Sequence, residues 1–457
     1  MMPGSTAPKR TVPLIRNFAP GAVFAYYDGG AVSVEEYLRD VRRLAHALPQ
    51  GRHVLNLCTN RYRFCVAFAA ALLRDQVNLL PPNQVPLTIA QLRDRYAGAF
   101  ALVDDDASDL PITIFRYPVW TAGSETAAEE STESIPVFPA DQMAAITFSS
   151  GSTGEPVPHQ KTWGALAASV AECGRPGARH PGATIIGTVP PQHMYGLEST
   201  VLMVMQNGLT LHSARPFYPA DIISALAAVP RPRALVTTPF HLRTLIADAT
   251  EMPAVDFLLC ATAPLSPQLA AAAESAVGAP LYEIYGCTEA GQVATRRTVQ
   301  SPVWETLPGL EIYQDQRGTW VCGEYLADAT LLSDVIELQG GGRFLLHGRL
   351  ADVVNIAGKR TSLAYLNYHL NSIEGVRDGV FMPQGDDGSG PVVRMTAFVV
   401  APGVGRDTLL RALRQRIDDA FLPRPLHLVD MLPRNATGKL PRQALSELMT
   451  RAASGAG

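Results

Sequence analysis

The sequence predicts an α/β protein with a large N-terminal domain, built from mostly parallel layered sheets and a distorted β-barrel portion, and a small α+β C-terminal domain. Its 457 residues exceed what one hydrophobic core usually supports, which indicates more than one domain. Short apolar runs such as Val77–Leu80 and Phe257–Cys260 alternate with helical patterns, as expected of layered parallel sheets. After about Glu311 the pattern changes to short alternating strands, and after Gly348 to a mixed α+β region.

The composition is that of an ordinary globular chain. Hydrophobic residues make up 47% and charged residues 18%, and the net charge is −4 with a pI near 6.2. So small a net charge does not favour binding of nucleic acid or of an anionic membrane, and it is equally compatible with small neutral or acidic ligands. The longest apolar stretch, Val66–Leu73, is too short to span a bilayer, and the six cysteines lack metal-binding spacing. We expect reduced thiols, no membrane span, no nucleic-acid partner and a cytoplasmic location.

Helix and strand signals alternate early in the chain. Ser33 and Glu36 form a capping-box pattern, and the apolar spacing from Tyr37 to Leu48 predicts the helix that follows. A second helix is predicted from Arg61 to about Arg74, and the acidic segment 122–134 is predicted to be an exposed connector. Strands are predicted at 53–57, 77–80, 101–103, 144–147, 184–188, 234–237, 257–260, 281–285, 320–322, 334–338 and 343–346.

A loop rich in serine and glycine is predicted after the strand that ends near Thr147. Residues 148–156 read Phe-Ser-Ser-Gly-Ser-Thr-Gly-Glu-Pro, and such a loop can wrap a polyphosphate. Its glycines permit close backbone approach, its N–H groups can form an anion-binding concavity, and its hydroxyls add donors. Taken alone, a segment of this composition is more often only a loop. It also lacks the ending of a Walker loop and the spacing of a dinucleotide fingerprint.

Four further motifs follow this loop in order. They are Tyr285-Gly286-Cys287-Thr288-Glu289, Asp334, Gly348-Arg349 and Asn435-Ala436-Thr437-Gly438-Lys439. The ordered set resembles the adenylate-forming superfamily of acyl-CoA synthetases, aryl acid ligases, luciferases and peptide-synthetase adenylation domains, over nearly the whole chain. The resemblance implies an AMP-forming acid–thiol ligase that uses ATP and Mg²⁺. It also implies an acid- and ATP-binding domain at 1–348 and a mobile domain at 349–457 that carries the catalytic lysine.

The implied chemistry is attack of a carboxylate on the α-phosphorus of ATP, with pyrophosphate leaving. Glu289 would bind Mg²⁺ and Asp334 would accept the ribose hydroxyls, although in isolation either residue would be interpreted as a solvated charge. The implied catalytic residues are Lys439, Thr288, Glu289 and Arg349. The implied ATP and AMP contacts are Ser149, Ser150, Gly151, Ser152, Thr153, Gly154, Ala263, Pro264, Tyr285, Gly286 and Asp334. The implied acid pocket comprises His193, Tyr195, Gly196, Thr262 and Gly291.

Three positions depart from the family's pattern. The lysine that usually follows the phosphate loop is absent, and Lys161 is only a shifted candidate for its role. At the hinge, where the family commonly has Asp or Lys, this chain has Ala351. The usual Gly-Gly before Ala263 is replaced by Ala261-Thr262. These differences leave the phosphate contact and the hinge residue open.

The acid and its acceptor are predicted from fewer residues. His193 and Tyr195 suit one wall of a pocket for a flat ring, although a core histidine fits as well. The run Gly154–Trp163 and the short chain resemble ligases of bacterial aryl-polyene and xanthomonadin-type pigment pathways. That resemblance implies hydroxybenzoate-like acids loaded onto the phosphopantetheine thiol of an acyl carrier protein. The arginines that could form a basic patch for such a carrier, or only a solvated helix face, are Arg406, Arg411, Arg414 and Arg416.

Two alternatives stay open. In the first, coenzyme A replaces the carrier protein and the acid is a fatty or short-chain one. In the second, the chain is a catalytically silent nucleotide-binding scaffold. Retention of both Glu289 and Lys439 speaks against the scaffold.

Overall fold

The computed structural model describes residues 10–105, 109–120, 134–150, 156–171, 179–248, 251–349, 353–356, 359–384, 394–435 and 440–453. A helical turn at Met194–Gly196 and a π-helical segment at Leu197–Leu202 precede the helix that begins at Met203, and a 3₁₀ turn lies at Asp419–Phe421. The helices are α1 (Val34–Ala47), α2 (Arg61–Leu73), α3 (Pro86–Arg95), α4 (Trp163–Ala171), α5 (Met203–Asn207), α6 (Pro219–Ala227), α7 (Pro239–Asp248), α8 (Pro267–Val277), α9 (Leu363–Asn371), α10 (Arg406–Arg414) and α11 (Arg442–Ala453).

The predicted strands are present: those at 77–80 and 257–260 have the predicted bounds, and the others differ at their ends by up to three residues. In chain order the strands of the structure are β1 (Thr11–Pro13), β2 (Val23–Tyr27), β3 (Gly30–Ser33), β4 (His53–Asn56), β5 (Val77–Leu80), β6 (Phe100–Val103), β7 (Ile114–Arg116), β8 (Val137–Pro139), β9 (Met143–Ser150), β10 (Pro156–Thr162), β11 (Thr184–Gly187), β12 (Thr210–His212), β13 (Arg233–Thr237), β14 (Phe257–Cys260), β15 (Leu281–Cys287), β16 (Gly291–Arg296), β17 (Trp304–Thr306), β18 (Leu310–Asp315), β19 (Gly318–Gly323), β20 (Thr330–Leu332), β21 (Asp334–Gly340), β22 (Arg343–Arg349), β23 (Val353–Ile356), β24 (Lys359–Ser362), β25 (Asp378–Gln384), β26 (Arg394–Val400) and β27 (Leu426–Leu428).

The predicted capping box of α1 is confirmed. Oγ of Ser33 accepts from the backbone N–H of Glu36 at 3.1 Å, and Oε2 of Glu36 accepts from the N–H of Ser33 at 2.7 Å. Both bonds satisfy N–H groups that a helix start leaves without intrahelical partners. The helix buries the apolar side chains of Tyr37, Val41 and Leu44, so the periodic pattern had identified its core-facing side.

A six-stranded sheet carries the serine- and glycine-rich segment at one edge. Its order is β10-β9-β5-β4-β6-β7, parallel except for the β9–β10 hairpin. The prediction that Ser149 and Ser150 lie in the loop was wrong, because pairing with β10 extends β9 to Ser150. The connector prediction at 122–134 and the loop prediction at 151–155 fall on residues outside the described ranges, apart from Ser134.

An eleven-stranded sheet forms the second layer, in the order β21-β22-β17-β16-β15-β14-β13-β11-β12-β2-β3. Its centre, from β15 to β2, is parallel, and its edges are antiparallel. The region predicted as a distorted barrel consists of antiparallel strands: β18, β19 and β20 form a separate sheet, and β17, β21 and β22 extend the large one. Parallel strands end at a shared edge, which is where ligands bind in open α/β sheets.

Helix α2 is buried along nearly its whole length and supports that edge. Arg61, which is 0% exposed, donates to the backbone carbonyls of Gly187 at 3.0 Å, Val189 at 2.7 Å and Ala214 at 3.2 Å. Burial lowers the pKa of this guanidinium to about 9. Its carbonyl partners replace the water lost on burial, and they tie the ends of β11 and β12 to α2.

The small C-terminal region has its own sheet and core. Strands β25, β26 and β27 form the sheet, and Leu366 of α9, Phe381 of β25 and Leu409 of α10 pack in one cluster. Strand β22 runs through residues 348 and 349, where the sequence predicts the domain boundary, and that boundary stays a prediction. In the part of the chain that the structure describes, no helix combines the length and apolar character needed to cross a bilayer. Cys58, Cys65 and Cys260 are buried thiols, as predicted, whereas Cys173 lies outside the described residues.

Candidate active site

The turn between β15 and β16 lies at the centre of the candidate site. Strand β15 ends at Cys287 and β16 begins at Gly291, so Thr288 and Glu289 lie in the turn between them. Gly291 has a φ of +79°, and a Cβ at this position would come within 2.5 Å of Oε1 of Glu198. Glycine is therefore required at this position, both because of the positive φ and because a side chain would not fit. A Cβ on Gly286 would likewise overlap the carbonyl oxygen of Gly291.

Ser149 and Glu289 approach each other through His159. Nε2 of His159 lies 2.8 Å from Oγ of Ser149 and 3.6 Å from Oε1 of Glu289. The β9–β10 hairpin, which flanks the serine- and glycine-rich segment, therefore faces the turn that carries Glu289. Burial lowers the pKa of His159, and the charge of Glu289 opposes this shift. The side chain of Ser150 and the whole of Gly151, Ser152, Thr153 and Gly154 lie outside the described residues.

The predicted ribose carboxylate, Asp334, accepts a hydrogen bond from a residue of β15, the strand that leads into the Glu289 turn. Oη of Tyr285 donates to Oδ2 of Asp334 at 2.8 Å. The tyrosine ring is buried, with its centroid 5.8 Å from the rings of Trp304 and Phe344. Asp334 begins β21 and pairs through the backbone with Arg349 of β22. The side chain of Arg349 and all of Lys439 and Ala351 lie outside the described residues.

Lys161 points to the Glu289 turn. Its side chain is 7% exposed, and Nζ donates to the backbone carbonyl oxygen of Glu289 at 2.5 Å. Burial lowers the pKa of Lys161, whereas the charge of Glu198 is the largest influence that raises it. The shifted lysine therefore contacts the backbone next to the predicted metal ligand.

The predicted acid pocket begins at the turn Met194–Gly196. His193 is half-buried at the start of this turn, and Oη of Tyr195 donates to the backbone carbonyl of Thr237 at 3.2 Å. A Cβ on Gly196 would overlap the carbonyl oxygen of Pro190. Tyr195 of the predicted aromatic pair therefore lies beside the carboxyl end of β13.

A buried polar cluster adjoins Thr237. The hydroxyl of Thr237 accepts a hydrogen bond from Oγ1 of Thr188 at 3.1 Å. Nδ1 of His241 lies 2.9 Å from Oγ1 of Thr238 and 3.3 Å from Oγ1 of Thr188. His241 is 0% exposed, and burial lowers its pKa to about 4. The imidazole is therefore neutral near pH 7.

Thr262 adopts an unusual backbone conformation, with a φ of +82°. A β-branched residue rarely occupies this region, which glycine reaches without strain. The conformation agrees with the expectation that this chain has threonine where the family has glycine. The neighbouring Ala263 is half-buried and Pro264 is exposed.

Sequence reasoning missed Glu198 and gave His159 no role. Glu198 is 1% exposed, and burial raises its pKa to about 7. It is the only charged residue in the apolar stretch from Met194 to Met205. A lone charge within an apolar run indicates a buried partner, and that signal could have identified it.

These residues suit ATP and Mg²⁺. The side chain of Glu289 is 39% exposed and offers carboxylate oxygens, and Asp334 is half-buried. Mg²⁺ is usually held by one or two carboxylates together with phosphate oxygens. When bound, it neutralises the charge that develops during transfer at phosphorus. The chain would hold it at Glu289, whose carboxylate lies 3.6 Å from Nε2 of His159.

Comparison with known proteins identifies relatives for most of the chain. The model of the family described as AMP-binding enzyme matches residues 16–313. A 4-coumarate–CoA ligase from Halorhodospira halophila is 28% identical over 308 residues, which cover 65% of this chain and 75% of that protein. A 3-hydroxybenzoate–CoA/4-hydroxybenzoate–CoA ligase from Thauera aromatica is 24% identical over 362 residues, which cover 69% of this chain and 68% of that protein.

Solved structures share the fold. The anthranilate CoA ligase AuaEII in complex with anthranoyl-AMP matches with a TM-score of 0.80 at 14% identity, covering 97% of this chain and 99% of that one. The O-succinylbenzoate coenzyme A synthetase MenE of Bacillus subtilis, with ATP and magnesium, matches with a TM-score of 0.76 at 18% identity and covers 93% and 97%. The chain therefore belongs to the AMP-binding enzyme family and is an AMP-forming ligase that adenylates a carboxylic acid with ATP.

Proposed function

We propose that this ligase activates a hydroxybenzoate-like aromatic acid to its acyl-adenylate and transfers the acyl group to the phosphopantetheine thiol of an acyl carrier protein. The proposed adenylation site is supported above all by a chain of contacts that runs from Ser149 through His159 to Glu289. It brings the flank of the phosphate loop to the candidate Mg²⁺ ligand. The bond from Tyr285 to Asp334 orients the candidate ribose carboxylate from the same strand.

The proposed roles divide between two domains. Residues 1–348 bind the acid and ATP, and residues 349–457 bring Lys439 to the reacting carboxylate. Lys439 and Arg349 stabilise negative charge at the α-phosphate, and Thr288 contacts that phosphate. Ser149 to Gly154 hold the departing phosphates through hydroxyl and backbone donors.

An aromatic substrate is supported by the His193 and Tyr195 pair and by two relatives. The hydroxyl of Tyr195 bonds to the backbone of Thr237, whose polar cluster can pair with a ring hydroxyl. The relatives from Halorhodospira halophila and Thauera aromatica are named as ligases of 4-coumarate and hydroxybenzoates. These names support an aromatic acid.

A carrier protein as acceptor is supported by the exposed face of α10. Arg406, Arg411 and Arg414 are exposed, whereas Leu409 and Leu413 of the same helix are buried. Arg416, by contrast, is half-buried, and its guanidinium donates to the backbone carbonyl of Ala412 at 2.8 Å. Three arginines thus face outward, where they can attract an acidic partner.

Coenzyme A is the second candidate acceptor. It is supported by the relatives from Halorhodospira halophila and Thauera aromatica, which are both coenzyme A ligases. The two acceptors share the phosphopantetheine thiol and differ in what surrounds it, so the basic face of α10 discriminates between them.

The acid is identified by exchange of labelled pyrophosphate into ATP, with Mg²⁺ and a panel of hydroxybenzoates, cinnamates and straight-chain fatty acids. Strong exchange with a hydroxybenzoate is expected. A signal confined to fatty acids would reject the aromatic pocket, and no signal with any acid would favour the scaffold.

The acceptor is identified by transfer of the labelled acyl group to a holo carrier protein or to coenzyme A. The triple variant Arg406→Glu, Arg411→Glu, Arg414→Glu should lose at least about tenfold in carrier loading and keep its pyrophosphate exchange. The matched control is Arg343→Glu, an exposed arginine in the β21–β22 hairpin. Equal loading by the triple variant and the control would reject the basic face.

A further inference from the structure

Two opposite charges are buried behind the Glu289 turn. Lys161 is 7% exposed and Glu198 is 1% exposed. They come from different parts of the fold: Lys161 lies on β10 of the six-stranded sheet, and Glu198 lies in the π-helical segment Leu197–Leu202. Such segments often occur at functional sites.

Lys161 holds the middle of the turn. Its Nζ donates to the backbone carbonyl of Glu289, a residue 128 positions away along the chain. The bond joins a strand of one sheet to the turn at the edge of the other. A donor on this carbonyl fixes the peptide next to the Glu289 side chain.

Glu198 holds the far end of the turn. Its Oε1 accepts from the backbone N–H of Gln292 at 3.4 Å and lies 2.5 Å from the position that a Cβ on Gly291 would take. The side-chain amide of Gln292 donates to Oγ of the adjacent Ser199 at 3.0 Å. The turn is therefore attached to the π-helical segment by both backbone and side chain.

Each charge compensates the other. Burial lowers the pKa of Lys161 and raises that of Glu198 to about 7, and in each case the partner's charge is the largest opposing influence. Two opposite charges that are buried near each other often contribute little net stability relative to apolar side chains of similar volume. Their place behind the turn indicates a geometric role.

We propose that Lys161, with Glu198 as its counter-charge, is a positioning residue that fixes the Glu289 turn for binding of Mg²⁺ and nucleotide. This inference rests on the proposed function of Glu289. Lys161 acts through the Glu289 backbone and touches neither phosphate nor acid in this role.

The test compares Lys161→Met, Glu198→Gln and the double variant Lys161→Met/Glu198→Gln with the wild-type protein. Lys161→Met leaves Glu198 without a counter-charge and should lower the Tm. The double variant has no unbalanced charge, so its Tm should return close to that of the wild type. It still lacks the bond to Glu289. Binding of Mn²⁺ in the presence of α,β-methylene-ATP, followed by electron paramagnetic resonance, should therefore be about 10–100-fold weaker.

Kinetics supply a second measurement. In pyrophosphate exchange the double variant should raise the KM for Mg·ATP by about tenfold or more and leave the KM for the acid unchanged. Lys161→Arg retains a cationic donor and should recover part of the Mn²⁺ affinity. The matched control neutralises another buried pair, Arg296→Met/Glu283→Gln on β16 and β15, whose ions lie 2.7 Å apart. This control should not change Mn²⁺ binding.

Wild-type Mn²⁺ affinity in a folded double variant would overturn the inference and leave the proposed function intact. If the wild-type protein shows no pyrophosphate exchange but the double variant still binds Mn²⁺ more weakly, the proposed function is rejected and the positioning role is supported. A wild-type protein that binds no Mn²⁺ with the nucleotide would overturn both.

Discussion

Arg243 of α7 donates to Asp378 of β25 across 3.0 Å and joins the large domain to the small one. The same carboxylate accepts two bonds from Arg434, at 2.6 and 2.7 Å. The side chains of Asp378, Arg243 and Arg434 are 12%, 24% and 15% exposed. One buried carboxylate thus links a helix of the large domain to the segment that leads into Lys439.

Asp378→Ala should leave two buried guanidinium groups without their shared anion. Removing one partner of a buried ion pair commonly costs about 3–5 kcal/mol, so we expect a loss of this order in the free energy of unfolding. Chemical denaturation measures it. The control is Arg93→Ala, which breaks an ion pair with Asp94 whose side chains are 46% and 67% exposed, and it should leave the unfolding midpoint unchanged. Equal effects of the two variants would contradict the role of Asp378.

Lys439→Ala should depress adenylation and spare the second half-reaction. If Lys439 stabilises charge at the α-phosphate, its loss should reduce pyrophosphate exchange by about 10²–10³-fold. Transfer from preformed acyl-adenylate to the acceptor should continue at nearly the wild-type rate. Equal loss in both half-reactions would reject the assigned role.

Tyr285→Phe should weaken nucleotide binding. The variant removes the donor that holds Oδ2 of Asp334 and keeps the ring packed against Trp304 and Phe344. A hydrogen bond to a charged group contributes about 1.5–3 kcal/mol, so the KM for ATP should rise at least about tenfold. Tyr282→Phe is the control, because this tyrosine lies on the same strand and its ring packs against the Arg297 guanidinium, 5.4 Å from the ring centroid. An unchanged KM would show that the Asp334 carboxylate needs no such donor.

Thr262→Gly should not destabilise the protein, whereas the same substitution at a threonine with ordinary backbone geometry should. At a φ of +82° the threonine carries strain of about 1–3 kcal/mol, which glycine relieves. That gain offsets the chain entropy of about 1 kcal/mol that glycine costs. Thr361→Gly in β24 has no such compensation and should lower the Tm. Thermal melts of the two variants in the same buffer compare them directly.

Acid should destabilise the fold through His241. Burial lowers its folded pKa to about 4, below the unfolded value of about 6.5. The stability contributed by the neutral ring is therefore complete above pH 6.5 and is lost as the pH falls towards 4, by up to about 3 kcal/mol. His241→Gln should flatten the slope of unfolding free energy against pH in this window. An unchanged slope would place the acid sensitivity elsewhere.

Local patterns in the sequence predicted much of the fold. The box of Ser33 and Glu36 and the apolar spacing behind it identified α1, and the apolar runs at β5 and β14 identified two central strands with their observed bounds. These signals depend on neighbours within a few residues, so they can be interpreted without knowing the fold. The extension of β9 through Ser150 escaped prediction because it depends on pairing with β10.

The sequence by itself determined the α/β class, the order of the motifs and, through them, the chemistry expected at Glu289 and Asp334. Only the tertiary structure decided that Lys161 bonds to the carbonyl of Glu289, that Glu198 faces the same turn, and that Asp378 joins two domains. The partners in the Lys161 and Asp378 bonds lie 128 and 135 residues apart along the chain. Their pairing follows from how sheets, helices and domains pack, because burial forces each charge to find a partner that no local pattern specifies.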